Sequence, residues 1–96
     1  MNIAIVGATG NVGRKTLEVL EKKGLQIDNL YLVASSKSVG KKISFKGKEI
    51  DVIDLENFDF SKVSIAFFAA GGKISEKFAE RAAKNCLVID LSLIHI

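Results

Sequence analysis

The sequence holds a single cysteine and a single histidine, and it has no long apolar run. With Cys86 alone, neither a disulfide framework nor a cysteine-based metal cluster can be assembled. His95 is a lone imidazole in an apolar tail, with no carboxylate partner identifiable beside it. No stretch approaches the roughly 18 to 20 apolar residues of a membrane span. The first apolar run, Ile3 to Val6, is too short for a signal-peptide core and has no cationic leader, so a cytoplasmic protein without a membrane partner is expected. The length of 96 residues excludes a two-domain enzyme and fits one soluble globular domain at most. A domain this short buries only about 60 to 65% of its unfolded surface, which leaves marginal stability unless something else covers it.

Acids are missing from one segment in particular. Between Ser35 and Lys48 stand Lys37, Lys41, Lys42, Lys46 and Lys48 with no Asp or Glu, whereas acids outnumber bases in the remainder. The net charge of +3 is therefore local. A basic patch confined to one loop suits a small anion; nucleic acid calls for a longer stripe of cations interleaved with aromatics, so no nucleic-acid partner is expected.

What is present reads as strand and helix in alternation. Asn2 to Gly7 is a strand that is apolar throughout, as burial on both faces requires. Val12 to Lys23 follows as an amphipathic helix with Val12, Leu17 and Leu20 on its apolar side and Gly24 at the left-handed cap position. Leu30 to Ala34 is a second buried strand. Lys42 to Lys46 and Lys48 to Val52 alternate polar and apolar around Gly47, which predicts a half-exposed hairpin inserted at the sheet edge. The acidic stretch Asp51 to Asp59 reads as a connecting turn or short helix without chemistry of its own. Val63 to Ala70 is a third buried strand. Ser75 is placed to cap a helix through Lys84 whose inner face is Phe78, Ala79, Ala82 and Ala83, and Cys86 to Asp90 is a fourth strand. The sum is an α/β fold: a Rossmann-like parallel sheet, part of a doubly wound architecture, with a small β-hairpin insertion. Two helices for four parallel strands leave apolar surface uncovered.

Gly7-Ala8-Thr9-Gly10-Asn11-Val12-Gly13 lies between the first strand and the first helix, where a glycine triad has mechanical meaning. Gly7 allows a tight turn, Gly10 lets backbone approach a pyrophosphate, and Gly13 permits close helix-to-strand packing. Free amides at the helix start then hold the phosphates. About 20 residues on, an NAD-selecting acid is expected at the end of the second strand. Ser35, Ser36, Lys37 and Ser38 stand there instead. An ammonium among hydroxyls binds the 2′-phosphate that a carboxylate repels, which favours NADP. Ala69-Ala70-Gly71-Gly72, after the third buried strand, offers small residues over which a cofactor can pass.

Taken together, Gly7 to Gly13, Ala34 to Lys41, Phe45 to Lys48, Phe68 to Gly72 and Val88 to Asp90 resemble, in order and spacing, the amino-terminal region of the bacterial aspartate-semialdehyde dehydrogenases. The resemblance covers Met1 to Asp90. It implies NADP-dependent, phosphate-linked interconversion of L-aspartate 4-semialdehyde and 4-phospho-L-aspartate, on the route to lysine, threonine, methionine and diaminopimelate. It further implies cofactor contacts from Thr9, Gly10, Asn11 and Val12, and at Lys37 a residue that is usually arginine in the family, followed by the serine matched by Ser38. Lysine keeps the charge and loses the bidentate fork. In a full-length enzyme the resemblance implies a homo-oligomer and a small-molecule substrate.

The resemblance stops at the tail. Past Asp90 the family continues with an asparagine, small hydroxyl residues and a substrate-binding arginine; here Leu91 to Ile96 matches only at Ser92. Residues 1–90 are therefore read as an incomplete dinucleotide-binding domain and 91–96 as a divergent tail, with the substrate and catalytic domain absent and no turnover expected from the chain alone. The family's nucleophilic cysteine and acid/base histidine lie further downstream, and neither Cys86 nor His95 replaces them. The rival readings are an atypical short-chain reductase or epimerase, whose Tyr-x-x-x-Lys fails because Ser35 stands where Tyr31 needs a lysine, and a nucleotide-sensing module without chemistry.

Overall fold

A computed structural model describes residues 1–24, 26–35, 37, 39–69 and 72–91, with the backbone alone for 72–76 and 90. Strand β1 (Asn2–Val6) runs through the middle of the sheet, and Ile3, Ala4, Ile5 and Val6 are all at most 1% exposed, which is why that run contains no polar alternation. Helix α1 (Asn11–Lys23) follows and ends on Gly24, whose φ of 62° is the left-handed cap that the glycine was expected to supply. Strand β2 (Asn29–Ala34) pairs parallel to β1, with Val6 opposite Val33.

The hairpin is where the architecture departs from expectation. Strands β3 (Lys42–Phe45) and β4 (Lys48–Asp54) are antiparallel and turn through Lys46 and Gly47, both at positive φ, as a two-residue connection between twisted strands demands. It lies at the sheet edge as expected but is more than an insertion: β4 extends two residues further than its alternation suggests and pairs parallel to β2 through Leu32–Val52, Val33–Ile53 and Ala34–Asp54. Val52 joins the core on the α1 side while Ile53 and Leu55 join the core on the other, so β4 is an integral strand and only β3 is an antiparallel edge.

The acidic stretch also carries more than a connection. Two 3-10 turns, Leu55–Asn57 and Phe60–Lys62, are capped by Asp54 and Asp59, each accepting from a backbone amide two residues on. With the carboxylates facing outward to cap, Leu55, Phe58 and Phe60 turn inward and are at most 3% exposed. Tyr31, Phe58, Phe60 and Phe68 form a continuous aromatic row at centroid spacings of 5.5, 5.0 and 5.9 Å.

Strand β5 (Ile65–Phe68) joins the other side of β1, helix α2 (Gly72–Ala83) follows, and β6 (Leu87–Asp90) pairs parallel to β5. Helix α2 begins at Gly72, so Ser75 lies inside it and is not its cap. On its inner face Phe78 and Ala82 are buried and Ala79 half-buried, whereas Ala83 is exposed at the helix end. The strand order is β3-β4-β2-β1-β5-β6. One face packs α1 through Leu17 and Leu20 onto Ile5, Leu32 and Val52; the other packs α2 and the 3-10 turns onto Ala4, Val6, Val33, Ala66 and Phe68. Val12, expected on the buried side of α1, is 38% exposed, and Gly13 takes the inner position instead. Among the described residues no helix is long and apolar enough to cross a membrane.

Candidate functional site

Because β1, β2, β4, β5 and β6 are parallel, their carboxyl ends share one edge of the sheet. Chain order reverses direction at β1, with β2 on one side and β5 on the other, and the crevice at such a switch point is where open α/β sheets hold ligands. The loops at that edge are tied to one another: the Gly7 amide donates to the Val33 carbonyl at 2.7 Å, and the Ala69 amide donates to the Val6 carbonyl at 2.8 Å.

The three glycines after β1 have three separate physical reasons. Gly7 has a φ of 85°, which a side chain disfavours. Gly13 sits so close to the turn that a Cβ there would lie 2.2 Å from the Gly7 carbonyl oxygen and 2.7 Å from the Ala8 Cα. Gly10 is different. Its φ of −82° and ψ of 173° suit any residue, and a Cβ would meet nothing closer than the Gly7 oxygen at 3.5 Å. The fold itself does not require glycine at position 10. The N-cap residue, Gly10, has no side chain with which to cap α1, and no acid stands in the first turn, an arrangement compatible with an anion at that end of the helix.

Thr9 is half-buried in this turn, and Asn11 and Val12 are exposed in the first turn of α1. Ser35 and Lys37 follow β2 at the same edge, both exposed. Ser36, Ser38, Ala70 and Gly71 lie outside the described residues. Gly72 opens α2, directly after the loop that leaves β5. Of the expected cofactor contacts, the structure brings to one edge the described ones: those after β1, Ser35 and Lys37 after β2, and Gly72 after β5.

Asp54 is a residue that sequence reasoning left without a role. It ends β4 in register with Ala34, immediately before Ser35 and Lys37, so it belongs to the same edge. Its two carboxylate oxygens accept separately, Oδ1 from the Glu56 amide at 3.1 Å and Oδ2 from the Asn57 side-chain amide at 3.3 Å. The signal for it lay in the apolar residues Val52 and Ile53, which mark β4 as a strand running up to that edge.

Two other surfaces border the site. A groove of about 380 Å³ between α1 and β3 carries Arg14 and Lys42 against Glu18 and Glu21, a balanced set of charges. Glu18 is held below the usual carboxylate range by its hydrogen bond from Lys22 and by Lys15. On the other side of α1, an apolar cleft of about 240 Å³ is bounded by Val12, Val19, Leu20, Phe67 and Leu91. On β6, in register with Ile65, Leu87 is 61% exposed. Cys86 lies away from the edge: its thiol is half-buried, donates to the Ala82 carbonyl, and is pushed up by burial, the opposite of an activated nucleophile. Among the described residues no group of three side chains is placed to hold a metal ion.

The comparisons with known proteins agree with this geometry. The model of a family described as "Semialdehyde dehydrogenase, NAD binding domain" matches residues 2–94. The chain is 53% identical over 91 residues to an aspartate-semialdehyde dehydrogenase of Legionella pneumophila, covering 94% of this chain and 26% of that protein. It is also 45% identical over 93 residues to a USG-1 protein homolog of Azotobacter vinelandii, covering 96% of this chain and 28% of that protein. Among solved structures, it matches aspartate semialdehyde dehydrogenase II of Vibrio cholerae complexed with ASA at a TM-score of 0.89 and 49% identity, over 93% of this chain and 29% of that one. A probable aspartate-semialdehyde dehydrogenase from Pseudomonas aeruginosa matches at a TM-score of 0.92 and 44% identity, over 96% of this chain and 28% of the other. The chain thus spans a little over a quarter of the length of these relatives.

Proposed function

The chain belongs to the semialdehyde dehydrogenase family, in its NAD-binding domain, and from that premise we propose that it is the nucleotide-holding part of an NADP-dependent aspartate-semialdehyde dehydrogenase. The observation that carries this reading is Gly10: a position where the fold has room for a side chain, at the N-cap of α1, is left bare. A pyrophosphate brought against the backbone there accounts for the missing Cβ.

The residues at the edge divide the work. Gly7 and Gly13 shape the turn so that the amides of Asn11, Val12 and Gly13 lie at the start of α1, where they receive the pyrophosphate oxygens with help from the helix dipole. Thr9 sits within the same turn. Lys37 supplies the cation for the 2′-phosphate on the adenosine side, and its neighbours in sequence Ser35, Ser36 and Ser38 offer hydroxyls. The run of small residues Ala70, Gly71 and Gly72 in the sequence after β5 suits passage of the dinucleotide there. When bound, the nicotinamide supplies a hydride acceptor and donor. In the whole enzyme, the activity is the interconversion of L-aspartate 4-semialdehyde, phosphate and NADP with 4-phospho-L-aspartate and NADPH, and the catalytic groups come from outside residues 1–90.

Titration of the purified chain with NADPH and NADH, followed by nicotinamide fluorescence, tests the reading. NADPH is expected to bind more tightly. Lys37→Ala should weaken NADPH about tenfold, as loss of a charge-assisted hydrogen bond predicts, and leave NADH unchanged. Absence of binding by a chain whose circular dichroism shows it folded, or equal loss of both nucleotides in Lys37→Ala, would refute the proposal.

A further inference from the structure

Lys37 is not the only charged group at the adenosine end of the edge. Asp54 ends the strand beside β2, level with Ala34, and neighbouring strands lie about 4.8 Å apart. Its carboxylate therefore stands on the order of 10 Å from the loop at Ser35 to Lys37. An acid at the end of β2 itself would select NAD by accepting from the ribose hydroxyl and repelling a 2′-phosphate. Here the acid is displaced one strand sideways, and both of its oxygens are engaged by Glu56 and Asn57 in capping a 3-10 turn.

We infer that Asp54 sets how strongly the site discriminates between the two nucleotides, by opposing the 2′-phosphate while the Asn57 amide tethers its carboxylate to the turn. This rests on the nucleotide-binding reading above and adds to it a specificity-determining residue. Capping alone accounts for the two hydrogen bonds. It does not remove the negative charge, which remains at the edge where Lys37 is to hold the extra phosphate. Lys37 and Asp54 thus act in opposite senses on the same phosphoryl group, and the preference for NADPH is the difference between them.

The test compares dissociation constants of NADPH and NADH for the wild-type chain, Asp54→Asn and Asn57→Ala. Asparagine at position 54 keeps a cap acceptor and loses the charge. The ratio of the two constants cancels any general effect of the substitution on the fold, which a merely structural role would leave unmoved. At about 10 Å in solvent, removing a unit charge facing a doubly charged phosphate should raise the preference for NADPH about threefold at low salt and less at high salt. Asn57→Ala, which leaves the carboxylate held by the Glu56 amide alone and its negative charge less screened, should shift the preference toward NADH. An unchanged ratio in Asp54→Asn while both nucleotides still bind overturns the inference and leaves the function standing. A shift of Asn57→Ala toward NADPH overturns the tether. Failure of the wild-type chain to bind either nucleotide removes the function, and this inference with it.

Discussion

Replacing Gly13 with alanine places a methyl group 2.2 Å from the Gly7 carbonyl oxygen, 2.7 Å from the Ala8 Cα and 2.9 Å from the Gly7 carbonyl carbon. All three atoms are backbone, in a turn already fixed by the Gly7 amide on Val33 and the Gly10 amide on the Gly7 oxygen, so no flexible side chain can give way. Helix α1 must move outward, away from Ile5 and Leu32, which its Leu17 and Leu20 cover. Overpacking of this kind costs about 1 to 3 kcal/mol, and contacts this short belong at the upper end. Against it stands the gain of about 1 kcal/mol when alanine replaces glycine inside a helix. The net expectation is a loss of about 2 kcal/mol, a large share of the stability of a domain this small. In urea, with a slope of about 1 to 2 kcal/mol/M, the midpoint should fall by about 1 to 2 M without change in slope. Gly10→Ala is the matched control: its Cβ has an ordinary contact, so it should lose less than about 1 kcal/mol, the cost of alanine at a helix cap, while nucleotide binding falls. A Gly13→Ala chain as stable as the wild type would refute the close-packing argument.

Other consequences can be measured on the same chain. Phe60, 2% exposed between the rings of Phe58 and Phe68, should cost about 3 to 5 kcal/mol when cut to alanine, read from urea or thermal unfolding. The Asp59 carboxylate is held below the usual range by hydrogen bonds from the Ser61 hydroxyl and amide, so its contribution is present above the ordinary aspartate pKa and is lost as pH falls through the lower, folded value. Asp59→Asn should therefore be less stable than the wild type at pH 6, with the gap closing below about pH 4, when urea midpoints are compared. Burial pushes the Cys86 thiol up, so at pH 8 a disulfide reagent should label it at least about tenfold faster in urea than in the native chain.

How far the sequence reveals this fold depends on whether the signal is local. Gly24 and Gly47 declare a helix end and a hairpin because left-handed backbone is a property of the residue itself. The apolar runs of β1 and β2 announce strands covered on both faces, that of β5 announces a strand of which one face is fully buried, and with the glycine turn they mark the carboxyl edge of the sheet at which the nucleotide is proposed to bind. The status of β4 is not local. Its alternation is that of a half-exposed hairpin, and only its pairing with β2 makes it part of the parallel sheet and brings Asp54 to the edge. The acidic stretch misleads for a related reason: charge dominates its composition, yet the carboxylates serve as caps and the interspersed Leu55, Phe58 and Phe60 are core. At Ser75 the cap preference of serine is genuine but is overridden, because the chain enters α2 already at Gly72.

Val12 was misplaced for a reason that concerns the whole sheet. Crossovers between parallel strands are right-handed, so connections running in opposite directions along a sheet fall on opposite faces. From β1 to β2 the chain moves toward β3, and α1 covers that step. From β4 to β5 and from β5 to β6 it moves the other way, and both the 3-10 turns and α2 accordingly pack on the opposite face. Among the described residues, no helix or turn of this winding covers the α1 face over β5 and β6. Val12 and Val19 on the helix, and Leu87 on β6, are exposed for that reason and not because their helical or strand periodicity is imperfect. Another right-handed step continuing outward past β6 would lie beside α2, so the open face follows from the order of the strands.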